Sequence, residues 1–483
     1  MSTLLTTSPK LLLRLVSGAL ALAITTAPAL ALGDDLEFSG EISSTLGVFL
    51  FTCQADCEYL DHQNRNTLDL ALDADLDDDV AARGAVSLRN DNIPELHTVG
   101  DSADISNLQP VRIRVTDAWV EGRDLGLDGF DLRVGAQTVR WGTGDRFSPT
   151  DRLNPFDLSD PAHFDRRLAT PAVHASYYRS PFTVSATWFP FFIPSLMNQR
   201  VIDTITDDEV EDDAHFADEI DGELPDINRI STRANIPSQT LFESAVALRA
   251  EWASRWADIA AGWYMGRDHL PQLSGEVIPE NFFDGETTDL IVNLAYPNIQ
   301  MFAAEARFPF LESWTGWVDA ALILPSSTEI FITRSRLEDL ERLGAIDEAP
   351  DEDVVATTQS GDPYVNFLVG VDRSVGTAAY LNFQYLHGFL FERNPEDLHH
   401  YGLVGFSAPA RILPTFEIDI VAGVEANRSF DAFGLLNQTR LIYRPADALE
   451  LSTSATLQIG QPGTTVSTFY ELSEVRVSAA AFF

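Results

Sequence analysis

Lysine is all but missing from this chain of 483 residues: Lys10 is its one lysine, so arginine carries nearly all of the positive charge. Against 32 Lys and Arg stand 73 Asp and Glu, a formal charge of −41. Such a polyanion has no basic footprint for nucleic acid; it suits salty water or the binding of divalent cations. Cysteine is scarce as well. Cys53 and Cys57 lie in TCQADCEY without a nearby histidine pair. Behind an export signal, that spacing reads as a small loop-closing disulfide rather than a metal site. Long apolar runs are also missing after the first thirty or so residues, which excludes a membrane-spanning helix.

Catalytic signatures are absent too: there is no G-x-S-x-G, no H-E-x-x-H and no C-x-x-C. Asp397, His399 and His400 in DLHHY bring acid and imidazole together. At that spacing a loop cluster is expected rather than the site of an outer-leaflet hydrolase. Gly142-Thr143-Gly144 lacks the G-K-[ST] and the helix of a phosphate cradle. The spacing of Asp145, Asp151, Asp157 and Asp160 does not match a calcium loop. No catalytic residue, metal site or cofactor is expected, apart from divalent cations held loosely by acidic loops.

What is present begins with a signal peptide over residues 1–31. Lys10 and Arg14 precede the apolar LVSGALALAI, and TAPALALG supplies the small-residue cleavage pattern. Beyond it the chain repeats a period of two. In LEFSGEISSTLGVFLF, Phe38, Ile42, Leu46 and Val48 alternate with Glu37, Glu41, Ser43 and Thr45. TLDLALDADLDD, FEIDIVAGVEA and LELSTSATLQIG repeat the scheme. Such segments are strands with one apolar and one polar face, and they exceed the ordinary strand length of about five or six residues. Short turns (DDDV, RSPF, RSVGT, RPADA) alternate with long acidic loops. Aromatic clusters at 188–192, 262–264, 314–317 and 389–391 sit where interfacial girdles are expected. The fold class is therefore all-β: a transmembrane antiparallel barrel of 16–18 strands over residues 32–483, one domain. The segment Asp289–Phe308 is counted as a single strand bulged at Pro297.

RWGTGDRFSPTDRLNPFDLSDP (140–161) has neither helical nor strand period. Its prolines limit its freedom, and Trp141, Phe147, Leu153 and Phe156 suit packing against an inner wall. Residues 142–170 are therefore expected to fold inward as a constriction loop. If leucines face lipid, Asp69, Asp73 and Asp75 line the lumen, and Arg83, Arg89, Arg112, Arg114 and Arg133 turn the same way. Together with Gln137, Trp141, Asp145, Arg146, Arg152, Asn154 and Asp157 they are the candidate channel-lining and constriction residues. Opposed acidic and basic strips would set up a transverse field, or would pair and hold the wall together. The loops 190–241 and 325–363 are long and acidic. LEDLERLGAIDEAPDEDV (337–354) opens with spacing suited to a short helix.

The motifs carry a resemblance. GAQTVRWG (135–142) followed by LNPFDLSDP (153–161) resembles an uncharacterised family of porin-like outer-membrane barrels of proteobacteria, with a G-x-Q-x-V-x-W-G strand end and an N-P-x-D loop. TWFPFFIPSLM and LAYPNIQMFAAEARFP look like its later segments, and alginate-exporter and polyanion-porin barrels are similar in general plan. The resemblance implies an outer-membrane channel, and EVRVSAAAFF ending on Phe483 looks like the signal read by barrel-insertion machinery. The expected function is passive diffusion of small hydrophilic or charged solutes through a monomeric or trimeric barrel. The alternative is a non-conducting barrel serving as a scaffold or export component. Outer-membrane lipid and lipopolysaccharide are the expected partners.

Overall fold

The computed structural model describes residues 35–51, 62–91, 111–144, 146–160, 163, 165–197, 226–283, 287–311, 313–344, 346, 349–376, 379–409 and 415–483. The signal peptide, the Cys53–Cys57 pair, Asp145 and the acidic run 203–225 lie outside them.

One sheet closes on itself through eighteen antiparallel strands. They are β1 (Leu36–Phe49), β2 (His62–Asp77), β3 (Val80–Asp91), β4 (Val111–Gly122), β5 (Phe130–Gln137) and β6 (Thr170–Arg179). There follow β7 (Phe182–Phe189), β8 (Ala245–Ala253), β9 (Asp258–Arg267), β10 (Asn298–Phe310), β11 (Trp314–Pro325) and β12 (Tyr364–Val375). The last six are β13 (Ala379–His387), β14 (His400–Pro409), β15 (Phe416–Ala426), β16 (Phe433–Ala446), β17 (Leu449–Gly460) and β18 (Glu474–Phe482). Each strand pairs with its successor, and β18 pairs with β1, so no edge is left to be satisfied by another chain.

Strand parity explains the closure. Ile113, Val120, Val184, Leu248, Phe302, Val369, Phe383, Val404, Val424, Leu435 and Val477 are exposed on the outer surface, forming a continuous apolar belt. Their neighbours Arg249, Glu305, Asp319, Gln438 and Arg476 turn inward. An isolated sheet with one apolar and one polar face would leave both rows of edge groups unpaired; a cylinder satisfies every one of them. Connections are short at one end, such as residues 78–79, 180–181 and 254–257, and long at the other, where 138–169, 190–244, 268–297 and 326–363 emerge.

The segment read as one strand from Asp289 to Phe308 is two elements. Thr287–Ala295 leaves the barrel and pairs with Asp226–Ala234 and Ile278–Phe283, and the barrel strand β10 begins only at Asn298. The break falls at Tyr296-Pro297. The Tyr296 side chain is buried against Phe192, and its carbonyl accepts from the Arg267 guanidinium at 2.7 Å, so the chain turns there instead of bulging. The outer sheet, the strands Thr328–Ile332 and Val354–Gln359, and helix α1 (Arg334–Leu343) share a small core of Val277, Val292, Leu294, Ile330, Ile332, Leu337 and Leu340. The loop 325–363 is thus folded as a cap. Its helix starts with an Arg334–Glu338 pair at 2.8 Å and ends at Gly344, in the left-handed conformation.

Strand parity divides the aromatic clusters: Trp188 is exposed on the outer face and Trp314 packs against the outward Phe383. Tyr264, Trp317 and Leu390 are fully or almost fully buried on the inner side, where they meet the inward loop instead of lipid. At the short-turn rim the outward rings are Phe182, Trp256, Phe310 and the stacked pair Phe416–Tyr443, with Phe38 against Phe483. Parity decides the matter: adjacent aromatics in a strand point to opposite faces.

Candidate channel constriction

The connection 138–169 leaves β5 and folds into the barrel, as its pattern of apolar residues and prolines led one to expect. Asn154 ties its two ends together. The side-chain oxygen accepts from Val139 N at 2.8 Å, and the amide nitrogen donates to Gln137 O, Leu168 O and Thr170 Oγ1. Gly142 makes the first turn possible. Its φ is +95°, and a Cβ there would sit 2.1 Å from Ser148 Oγ. Trp141 then lies against Gly262 of β9, where the lack of a side chain lets the ring approach the wall.

From there the loop runs along the same wall, two strands further round the barrel. Thr143 N and Gly144 N donate to the Asp319 carboxylate of β11 at 2.8 and 2.9 Å, and Thr143 Oγ1 does so at 2.6 Å. Thr150 Oγ1 donates to Glu305 of β10, which also pairs with Arg249 of β8 at 2.7 Å. Leu153, Trp141 and the wall residues Tyr264, Met301, Ile323 and Tyr364 form one apolar core inside the cylinder. The returning limb is held by charge. Asp157 pairs with Arg114 of β4 at 2.5 Å, and Ser159 accepts from Arg89 of β3 at 2.8 Å. Asp160 pairs with Arg65 of β2 at 2.8 Å and with Arg476 of β18 at 2.6 Å.

Burial and charge compete in this seam. Burial pushes the Asp160 carboxyl up, but Arg476 and Arg65 outweigh it and hold the group well below the usual carboxylate range. For Asp151, burial wins over Arg167 and Arg140, and the carboxyl is raised. Desolvation, with Arg166 and Arg476 nearby, lowers His163 to about 4, so the ring is neutral at pH 7.

The expected site residues divide into three sets. Gln137, Trp141, Arg152, Asn154 and Asp157 were expected to line the channel; they are buried in the contact between loop and wall. Arg89 and Arg114 point inward and are spent on that same contact. Arg83 is paired with Asp73 at 2.9 Å and lies 3.6 Å from Asp117, while Arg133 pairs with Glu121 and stacks over Trp119, so these strip residues brace the wall. Asp75 is exposed at the short-turn rim. Facing water inside the barrel are Arg112, in register with Arg89, and Arg146, whose guanidinium donates to Gln438 of β16 at 2.6 Å. Arg166 is exposed nearby, within electrostatic reach of Glu41. Glu41 and Asp69 are cross-strand partners, and Asp419 is opposite Arg440, which pairs with Glu450 at 2.6 Å.

Arg65, Asp160, Arg249, Glu305, Asp319 and Arg476 were not among the expected lining or constriction residues. Inward parity was the available signal for the wall residues. Their partnership with the loop was not available, because Asp160 and Arg476 are 316 positions apart.

A second buried cluster joins the β13–β14 and β17–β18 connections over the end of β15. Glu425 of β15 accepts from His399 Nδ1 at 2.6 Å and from Thr465 N and Val466 N, each at 2.7 Å. Glu392 accepts from the hydroxyls of Tyr401 and Thr465 and from His399 N. The ligand atoms of Glu392, His399 and Glu425 lie within 4.8 Å of one another, a spacing a metal ion would accept, yet both carboxylates are already engaged by hydrogen-bond donors. Asp397 bonds Asn394 instead of either histidine, and His400 turns outward to Tyr385, so DLHHY assembles no triad.

No family model and no curated protein matches the sequence. Among solved structures, the chain is similar to OccAB4 of Acinetobacter baumannii, with 9% identity over 95% of this chain and 100% of that one, at a TM-score of 0.47. It is similar to OpdK of Pseudomonas aeruginosa, solved with vanillate, with 10% identity over 93% of this chain and 99% of that one, TM-score 0.47. OmpF of Salmonella typhi, solved with daunomycin, matches at 8% identity over 93% and 97%, TM-score 0.39. Likeness at this level concerns barrel architecture.

Proposed function

We propose that the protein is an outer-membrane channel of a Gram-negative bacterium, passing small hydrophilic or charged solutes down their gradients. One observation carries the reading: a closed cylinder with an apolar outer belt holds an inward loop that packs on the apolar inner face of β6–β13, while its returning limb is held by charge on β18 and β2–β4. A barrel of eighteen strands is wide enough for an aqueous channel, and such a loop sets its width and field. The motif resemblance at 135–142 and 153–161 fits the same reading. The selecting groups are the water-facing Arg112, Arg146 and Arg166, with Glu41, Asp69 and Asp419 on the inner faces of β1, β2 and β15.

Liposome swelling with purified protein tests conduction: small sugars and amino acids enter if the channel is open. Replacing Arg112, Arg146 and Arg166 together with alanine should then shift reversal potentials toward cation selectivity. Unchanged selectivity removes these arginines from the filter. The scaffold reading is favoured by the reach of the loop right across the lumen to Arg65 and Arg476, and the absence of any solute flux would establish it.

A further inference from the structure

Where the inward loop, the β9–β10 connection and the β13–β14 connection meet, the interior holds more positive charge than negative. Arg152, Asp268 and Arg393 are each at most 4% exposed. All three lie within electrostatic reach of the Tyr364 hydroxyl, itself buried. Arg152 Nη1 approaches Asp268 Oδ2 at 3.6 Å, too far for a hydrogen bond. Arg393 Nη1 donates to the Leu270 carbonyl at 3.2 Å and forms no ion pair among the described residues. Two guanidiniums and one carboxylate therefore meet Tyr364, and Asp268 Oδ2 likewise has no hydrogen-bond partner among the described residues.

The polar atoms tell the same story. Arg152 Nε and Nη2, Arg393 Nε and Tyr364 Oη all lack a partner among the described residues. Asn366, one pleat along β12 from Tyr364 and fully buried, has both amide atoms in the same condition. A single unpaired buried donor costs about 1–3 kcal/mol, and an unpaired buried charge costs more. Buried polar groups are normally hydrogen-bonded, so these donors call for an acceptor.

We infer that this junction binds a small monovalent anion of chloride size. The anion accepts from Arg152, Arg393 and Tyr364 at once, balances the second guanidinium, and fixes the loop to the β9–β10 and β13–β14 connections. The donors set the class. They are N–H and O–H groups from separate elements, set in the apolar cluster of Trp141, Leu153, Tyr264 and Leu398, which suits a small anion of low charge. The inference is independent of conduction: a closed scaffold would hold the anion equally well.

The test measures thermal unfolding of the detergent-purified barrel at constant ionic strength while gluconate is exchanged for chloride. The midpoint should rise by a constant increment for each tenfold increase in chloride above its Kd. Arg393→Met should abolish that response, and Arg342→Ala, on the exposed face of helix α1, should keep it. Where Arg393→Met does not fold, Tyr364→Phe should reduce the response several-fold. Crystals grown in bromide should show an anomalous peak beside Arg152 and Arg393. A midpoint indifferent to chloride, an equal response in the Arg393 or Tyr364 variant, or no bromide peak would each overturn the inference.

Discussion

Asp160→Asn removes one charge where the returning limb of the loop meets the wall. In the native protein that carboxylate joins Arg65 of β2 and Arg476 of β18, the two strands that flank β1, with side-chain exposures of 12%, 5% and 7% for Arg65, Asp160 and Arg476. Arg476 also pairs with Glu474, so it keeps one partner in the variant. Removing one member of a buried pair costs about 3–5 kcal/mol. Placed on the equilibrium between attached and released loop, that is roughly a hundred- to several-thousand-fold. The limb at 157–163 should detach, while 141–154 stays held by Asp319, Glu305 and the apolar core. Single-channel recording should show a larger mean conductance with flicker, and the heat-modifiable gel shift should move to lower temperature. Salt should not reproduce the effect, because a buried pair is poorly screened. Acid should. A carboxylate held below its ordinary value stabilises in full above about pH 3.9 and loses that contribution as the pH falls further. A folded Asp160→Asn protein with native conductance and native noise would refute the latch.

Three further perturbations follow from the same geometry. Gly262→Leu places a Cβ 2.5 Å from the Trp141 ring, so it should cost about 1–3 kcal/mol and shift the tryptophan emission; an unchanged spectrum and melting point would contradict the ring's position. His163 is held down to about 4 by burial and by Arg166 and Arg476, so a released loop takes up a proton near pH 6.5 and the attached one does not. Stability of the attachment is then full above pH 6.5 and is lost as the pH falls through about 4, and His163→Asn should flatten flicker against pH across that window. Burial lowers His399, but the hydrogen bond to Glu425 and the charge of Glu392 outweigh it and raise the group. Its contribution is full below its ordinary value and lost as the pH rises through the folded one; thermal melts of His399→Gln should therefore lack the native decline on the alkaline side.

The barrel was legible because its cause is local. Alternation in TLDLALDADLDD assigns Leu72 outward and Asp69 inward whatever the strand pairs with, and the structure keeps that assignment. The failures have a common physical source. Asp289 to Phe308 alternates well enough to look continuous, and the turn at Tyr296 depends on Phe192 and Arg267 from elsewhere in the chain. Tyr264 and Trp317 belong to sequences that look like girdle aromatics, but they serve a core that exists only once the loop has folded inward. Arg114 and Asp157 looked like two channel-facing charges, and they neutralise each other.

By itself the sequence determined which side chains face outward, how the chain alternates between short turns and long connections, and that residues from about 140 to 167 have no strand period, because each of these rests on neighbours a few positions apart. Tertiary structure alone decided which charges meet water and which are consumed in pairs. Closing the cylinder brings Arg65, Asp160 and Arg476 together, and no local pattern encodes a contact between residues hundreds of positions apart.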